Sequence, residues 1–477
     1  MIKRTFTTED QLSFAKLSGD CNPLHTDPII ARRLLFGQQI VHGLHALLWS
    51  ADHYLKDRTQ RLELQRIKAD FRSAIGVGST VKCSYRSPTA HQVEIQLETD
   101  KKLAAWFQIS WRPRQSHQTD TLPQTLQNRP KCRKRTIDET VDARGSIPLY
   151  LDKQFAAGLF PNLMRLVPSV QLAALLASTR LVGMECPGRN SIFSELDLTF
   201  SADRAGAQNL KYQVAACNRP LALILIDVET PGMKGRLKTF FRPEPQRQAA
   251  FAELRREVEA EEFSDQQALI IGGSRGLGEV TAKLVAAGGA EVIITYYHGQ
   301  RDAQHLVEEL VYHGVKAECL HFDALKPSRE LLGKAVNRSK PLYLYYFATP
   351  FIFGAAKGKF SPQRFATFSE YYVAGFQRTV QTAASLSTRL EKIFYPSSAA
   401  IEELPLDMGE YAAAKIAGEI LCDFLQKTVP GIIIHKPRLP RVATDQTVSL
   451  LPVRNQDSAS VLLANLRYLR QMQPVRR

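Results

Sequence analysis

The chain has 477 residues, 44% hydrophobic and 23% charged, with a formal net charge of +15. That length is more than one hydrophobic core organises and calls for two to four domains, and the balance of residues is that of an ordinary globular protein rather than a disordered or fibrous one. The start, Met1-Ile2-Lys3-Arg4-Thr5, lacks the apolar stretch of a signal peptide and no long apolar run follows, so neither secretion nor a membrane span is expected and a cytoplasmic location is.

The first informative stretch is Leu17-Ser18-Gly19-Asp20-Cys21-Asn22-Pro23-Leu24-His25, with Gly43 following in Ile40-Val41-His42-Gly43. A carboxylate, Asp20, and an imidazole, His25, flank a segment broken by Pro23 just after a glycine, so the two side chains can converge on one water without sharing a helix face. That is a layout for adding or removing water. The run resembles the signature of the MaoC-like (R)-specific enoyl-CoA hydratases, the hydratase 2 family, which reads S-G-D-x-N-P-L-H followed by a loop ending I-V-H-G, and the likeness extends over Phe14–Gly43. The resemblance implies that Asp20 and His25 bind the water or leaving hydroxyl and move protons, that Asn22 orders the loop, and that the Gly43 amide, opening a central helix, is the oxyanion donor to a thioester carbonyl.

Around this motif, an apolar helix is predicted near Val41–Tyr54, then strand-like runs at Ile67–Ser87, at the alternating Val93, Ile95 and Leu97, and at Leu103–Trp111. Residues 1–113 therefore read as one α+β hot-dog. The span 114–145, with Pro123, Pro130 and the basic run Lys131–Arg135, reads as a linker. Residues 146–245 repeat the order of helix then strands: a helix around Leu163–Leu181, then strands at Ser191–Phe200, Leu210–Ala216, Leu221–Val228 and Arg236–Arg242. This second half carries no copy of the motif. A double hot-dog with a single hydratase site follows, the second half completing the sheet and shaping an acyl tunnel.

The Glu/Arg-rich stretch Ala249–Glu262 predicts an exposed connecting helix over 246–264. From 265 to 450 strands and helices alternate, the signal for a doubly wound parallel α/β sheet. Immediately after the strand Gln267–Ile271 comes Gly272-Gly273-Ser274-Arg275-Gly276-Leu277-Gly278, then a helix. Glycines at this spacing let the backbone approach a pyrophosphate at a helix N-terminus. Further on stand Ser398 and Tyr411-Ala-Ala-Ala-Lys415, whose tyrosine and lysine share a helix face, so that the ammonium can lower the phenol pKa. The set resembles the short-chain dehydrogenase/reductase family over Gln267–Gln446. It implies a Rossmann sheet, a catalytic Tyr411 helped by Lys415 and Ser398, Asp323 near the adenine ring and Thr444 near the nicotinamide. Arg275, together with the absence of an acid in Tyr296-Tyr297-His298, favours NADPH (NADP) over NADH. The chain departs from the family's pattern at Ile271 for a threonine, at Phe347-Ala348-Thr349-Pro350 for Asn-Asn-Ala-Gly, at Lys436-Pro437-Arg438-Leu439-Pro440-Arg441 for a Pro-Gly turn, and at Tyr372 where an asparagine completes the tetrad. The last puts turnover in question. Residues 451–477 read as a basic C-terminal helix or tail ending Arg476-Arg477.

Seven cysteines without paired short spacings argue against a disulfide framework or a zinc site, so no metal is expected. The basic residues are scattered and accompany no nucleic-acid-binding pattern; phosphates of coenzyme A or NADPH, an acidic acyl carrier protein, or plain solvation account for the charge. The expected activity is a 3-oxoacyl-thioester reductase joined to an (R)-3-hydroxyacyl dehydratase, acting on acyl-CoA or acyl-carrier-protein thioesters in fatty-acid or polyketide-like synthesis. The alternatives are the reverse sequence, as in β-oxidation, and a carrier-binding protein with an inactive reductase half. A homo-oligomer is left open.

Overall fold

The computed structural model describes residues 2–473 except 101, 115–121, 124, 126–130, 202–206, 338, 355–356, 387–388 and 451–452. The Arg476-Arg477 tail lies outside the described residues. The chain divides into two units, Met1–Glu244 and Pro245–Arg477.

The first unit is one antiparallel sheet of ten strands: β1 (Ile2–Thr5), β2 (Leu62–Phe71), β3 (Thr80–Thr89), β4 (Gln92–Thr99), β5 (Lys102–Pro113), β6 (Arg144–Pro148), β7 (Ser191–Phe200), β8 (Asn209–Asn218), β9 (Leu223–Thr230) and β10 (Met233–Phe241). Their order is β1-β3-β4-β5-β2-β7-β10-β9-β8-β6. Outward from the centre, β2-β5-β4-β3-β1 on one side is matched by β7-β10-β9-β8-β6 on the other, so two five-stranded hot-dog halves meet where Arg66–Asp70 runs antiparallel to Glu195–Thr199. Each half wraps an apolar helix, Gly43–Tyr54 in the first and Ser169–Arg180 in the second, and both helices bury into one shared core. The face of the sheet away from the helices carries cross-strand ion pairs such as Arg66–Asp197 at 2.8 Å and Arg236–Asp227 at 2.6 Å. Exposed pairs of this kind add little stability but keep the outer face polar and the strand register defined.

Several details differ from the sequence reading. Ile67–Ser87 is two strands, because Gly76 and Gly78 fall in the connection between β2 and β3. The helix read over Leu163–Leu181 is two, Pro161–Leu166 and Ser169–Arg180, because Pro168 cannot continue the first. The span read as a linker is tied down where it is described: the Arg133 N–H donates to the Met184 carbonyl at 2.8 Å, and β6 begins at Arg144.

The second unit is a parallel sheet built from β11 (Gln267–Ile271), β12 (Glu291–Tyr296), β13 (Ala317–His321), β14 (Leu342–Tyr346) and β15 (Leu390–Phe394), with a two-residue strand β16 (Ser397–Ser398), then β17 (Ile433–His435) and β18 (Arg438–Leu439). The main sheet has the order β13-β12-β11-β14-β15-β17, and β16 pairs with β18 in a separate ribbon. The order reverses at β11 and β14, the doubly wound topology that leaves a crevice beyond the carboxyl ends of those two strands. Separate apolar layers cover the two faces. Two segments read as peripheral belong to one of these layers. The stretch Ala249–Glu262 is no exposed helix: it holds a single turn, Phe251–Leu254, and a tighter one, Arg255–Glu257, while Phe251, Leu254, Val258 and Phe263 are buried. The helix Ser458–Gln471 buries Leu462, Leu463, Leu466 and Leu469 in the same layer. Among the described residues no helix is long and apolar enough to cross a membrane.

Candidate active sites

The motif of the first unit sits between two helices whose ends are fixed locally. Helix Thr8–Ser18 starts with a reciprocal cap, the Thr7 hydroxyl accepting from Asp10 N and the Asp10 carboxylate from Thr7 N, and stops at Gly19. Asn22 then caps the short helix Pro23–Thr26 by accepting from Leu24 N at 3.0 Å, while its amide donates to the Gly183 carbonyl at 3.0 Å and to those of Gly188 and Arg189 at 3.3 Å. This ties the motif loop to the second half of the sheet.

Asp20 is buried, and its two oxygens accept from the Thr179 hydroxyl at 2.7 Å and from Asn22 N at 3.3 Å. His25 Nδ1 lies 2.9 Å from the Ile40 carbonyl, which can only accept, so Nδ1 carries the hydrogen and Nε2 keeps a lone pair. His42 stacks on His25 with centroids 3.9 Å apart, and its own nitrogens are committed: Nε2 lies 3.0 Å from the Asp20 carbonyl and Nδ1 3.0 Å from Gln11 Oε1. Asp20, His25 and His42 offer polar atoms within 4.8 Å of one another. Burial pushes the Asp20 carboxyl up, and pushes both imidazoles down against the attraction of the Asp20 charge on His25. The centre thus holds a neutral imidazole with a free lone pair beside a carboxyl whose proton affinity is raised. Both face a cavity of about 80 Å³ walled by Phe36, Phe71 and Phe193. Gly43 lines the same cavity at the start of its helix, and among the described residues its N–H has no acceptor.

Three residues of this centre carry no mark in the sequence, and all come from the half without a motif. Thr179 holds Asp20. The Arg180 guanidinium donates to the Ser18 carbonyl at 3.1 Å, just ahead of Gly19, with Tyr150 beneath it at 4.6 Å. At Gly183 the backbone passes so close that an added Cβ would stand 2.1 Å from Asp20 Oδ1. Gly183→Ala is therefore expected to displace the carboxylate and to lower any activity that depends on Asp20 by roughly ten- to a hundredfold, since a shift of about 1 Å can cost on that order. Steady-state kinetics with a circular-dichroism control check it; undiminished turnover would mean that Asp20 tolerates the shift.

In the second unit the glycine turn joins β11 to the helix Gly276–Ala287. An added Cβ on Gly278 would meet the Gly272 carbonyl oxygen at 2.4 Å, so the turn folds over itself in a way only glycine permits. Above Gly276 a Cβ would meet nothing nearer than Thr444, at 3.9 Å. Thr444 and Asp445 stand at ordinary contact distance from the start of this helix, whose free amides suit a dinucleotide pyrophosphate. Ser274 is buried within the turn and Leu277 packs on the core below. Thr444 thus stands against Gly276, and its hydroxyl lies 3.3 Å from that of Thr447. Asp323 closes the turn after β13 by accepting from Leu325 N at 2.9 Å. Arg275 is the surprise: its guanidinium donates to Asp445 at 2.7 Å instead of standing open for a phosphate.

Tyr411 and Lys415 lie on the helix Gly409–Thr428, and Ser398 on β16. Ser398 faces the Tyr411 hydroxyl and lowers the phenol's proton affinity, against the larger, opposite effect of burial. Lys415 is buried, donates to the Pro396 carbonyl at 2.6 Å, and is pushed down to about 7 by desolvation. Tyr372 stands edge-on to Tyr411 with ring centroids 5.7 Å apart, and its hydroxyl lies 2.5 Å from the Thr349 hydroxyl. The serine, tyrosine and lysine named from the sequence therefore come together, with the unexpected tyrosine at their side.

Residues 1–103 match the family described as MaoC like domain, and residues 266–432 the family described as short chain dehydrogenase. A curated relative, the peroxisomal hydratase-dehydrogenase-epimerase of Saccharomyces cerevisiae, is 36% identical over 80 residues, covering 16% of this chain and 8% of that protein. The chain thus matches less than a tenth of that relative's length. Similar solved structures include a short chain dehydrogenase from Burkholderia cenocepacia in complex with NADP, at 23% identity over 43% of this chain and 91% of that one with a TM-score of 0.37. A dehydrogenase/reductase from Sinorhizobium meliloti matches at 20% identity over 45% and 91%, with a TM-score of 0.37. The chain is a fusion, with a MaoC-like dehydratase domain at its N-terminal end and a short-chain dehydrogenase domain at its C-terminal end.

Proposed function

We propose that the protein is a bifunctional enzyme that reduces a 3-oxoacyl thioester with NADPH and removes water from the resulting (R)-3-hydroxyacyl thioester. The carrying observation is that each domain holds a full set of groups for its half of this sequence: Asp20, His25 and Gly43 around one cavity, and Ser398, Tyr411 and Lys415 in the domain with the glycine turn. The two reactions share an intermediate, so the product of one is the substrate of the other.

In the hydration direction, His25 Nε2 is the free base that takes a proton from water, and Asp20, whose carboxyl holds protons more tightly than usual, completes the exchange at the α carbon. Asn22 keeps the loop in register. The Gly43 N–H donates to the thioester oxygen as charge gathers on it. In the reductase domain the nicotinamide, when bound, supplies the hydride. Tyr411 donates the proton to the carbonyl oxygen, Ser398 orients that oxygen, and Lys415 eases loss of the phenol proton. The name of the yeast relative favours a second reading, in which the same groups run hydration and then oxidation. Mixing the enzyme with a 3-oxoacyl thioester and either NADPH or NADH, and following both absorbance and enoyl product, separates the readings: no oxidation of either cofactor removes the reductase from the proposal.

The Arg275–Asp445 pair sharpens the question of the cofactor. A guanidinium already steadied by a carboxylate can still offer charge-assisted hydrogen bonds to a 2′-phosphate, and NADH has none to receive them. Arg275→Ala is expected to weaken NADPH binding about tenfold or more while leaving NADH within about threefold, because a hydrogen bond to a charged group is worth roughly 1.5 to 3 kcal/mol. Titration calorimetry with both cofactors measures it. Equal losses would make the pair with Asp445 the whole role of Arg275.

A further inference from the structure

Lys415 is buried beside Tyr411, yet among the described residues no carboxylate lies within ion-pairing distance of it. The acid nearest along the helix, Glu419, is committed elsewhere: it binds Arg438 through two contacts, at 2.8 and 2.9 Å, and accepts from the Ser397 hydroxyl. The other titratable groups facing the lysine are Cys422 on its own helix and the phenols of Tyr372, Tyr395 and Tyr411. Apart from the Pro396 carbonyl, to which it donates at 2.6 Å, what surrounds the ammonium is aromatic. Its nitrogen stands 4.0 Å from the ring centre of Tyr372, 4.9 Å from that of Tyr395 and 5.9 Å from that of Tyr411. A cation at such distances over a ring face is attracted by the ring's quadrupole, most strongly where water is absent.

Tyr372 makes the shortest of these contacts, and its ring is fixed on more than one side. It lies in a π-type turn, Glu370–Gly375, whose extra residue rotates side chains relative to a regular helix. It stacks on Phe368 at 5.9 Å with the planes 5° apart, meets Tyr411 edge-on, and is pinned at its far end by the Thr349 hydroxyl. We propose that Tyr372 is a positioning residue of the reductase centre: its ring face, held in place by Phe368 and Thr349, keeps the Lys415 ammonium beside Tyr411 in the role a carboxylate would otherwise fill. The residue that departs from the family's tetrad then supports the lysine instead of disabling it. Burial brings the lysine down to about 7, so the ring's attraction acts on a group that titrates near neutral pH. The sign is fixed: the ring favours the charged form, so weakening it lowers the pH at which Lys415 loses its proton.

This placement rests on the reductase reading for its consequence in turnover, but the charge of Lys415 can be measured without turnover. In the full chain labelled at the lysine ε-carbons, with Lys415→Met identifying the signal, the Lys415 titration midpoint is read by carbon NMR. Tyr372→Phe, which keeps the face, is expected to hold the midpoint within a few tenths of a pH unit, and Tyr372→Leu to lower it by about one unit, a tenfold loss of proton affinity. Should the leucine variant fail to fold, a series of increasingly fluorinated phenylalanines at 372 keeps the shape while draining the negative face, and should lower the midpoint stepwise. The pH profile of NADPH-dependent reduction should move with it. A midpoint that stays put as the ring is weakened overturns the proposal. A midpoint that tracks the ring in a protein that reduces no thioester upholds the placement and sinks the reductase reading instead.

Discussion

Replacing Asp20 with Asn, or His25 with Ala, should lower hydration of a crotonyl thioester by on the order of a hundredfold or more, because each removes a group that exchanges a proton in the reaction. Asn at position 20 keeps the shape and can still accept from the Thr179 hydroxyl, so the loop should survive while the titratable group is gone. Ala at 25 removes the only ring nitrogen left unengaged in the His25–His42 stack and leaves His42 held by Gln11 and the Asp20 carbonyl. The two His42 nitrogens face Gln11 Oε1 and the Asp20 carbonyl, so His42 is turned away from the role and should not substitute. Circular dichroism should show an unchanged fold, and NADPH oxidation with a 3-oxoacyl thioester should proceed at its ordinary rate. Retention of more than about a tenth of the hydratase activity in either variant would remove the residue from the chemistry and leave it a loop former.

Tyr411→Phe should abolish ketone reduction, again by on the order of a hundredfold or more, and leave hydration untouched. The ring's contacts with Phe368 and Tyr372 are retained, and what disappears is the hydroxyl that faces Ser398. Since neither the glycine turn nor Lys415 hydrogen-bonds that hydroxyl, NADPH should bind as before, as a fluorescence titration would show. Wild-type reduction by the variant would exclude Tyr411 as the proton donor. Loss of hydration along with it would mean that the two centres are not separate.

What could be read from the chain follows from where each signal resides. Asp20, Asn22, His25 and Gly43 were conspicuous because the groups and the turn residues that aim them lie in one short run. The strand Ser191–Phe200 was read to its ends because it begins and ends abruptly in composition. The edge strands β1 and β6 escaped notice because four or five residues with one half-buried face carry too little alternation to stand out. Thr179 and Gly183 were invisible for a different reason: their meaning comes from Asp20, far back along the chain, and nothing beside them marks it. The Arg275–Asp445 pair joins positions 170 residues apart and could be seen only in three dimensions. The buried turn at Phe251–Leu254 looked exposed because its charged neighbours outnumber the two residues that pack.

The matched strand orders of the first unit make its halves look interchangeable, but their side chains say otherwise. Thr179 is the next-to-last residue of its helix, and the residue at that place in the other helix is His53. The hydroxyl that holds Asp20, and the Gly183 carbonyl that accepts from Asn22, both come from the half without the motif. The half that has no chemistry of its own has become the mould for the half that does. The centre is therefore assembled from both halves of one chain, and a copy of the motif placed in the second half would need its own counterparts of Thr179 and Gly183.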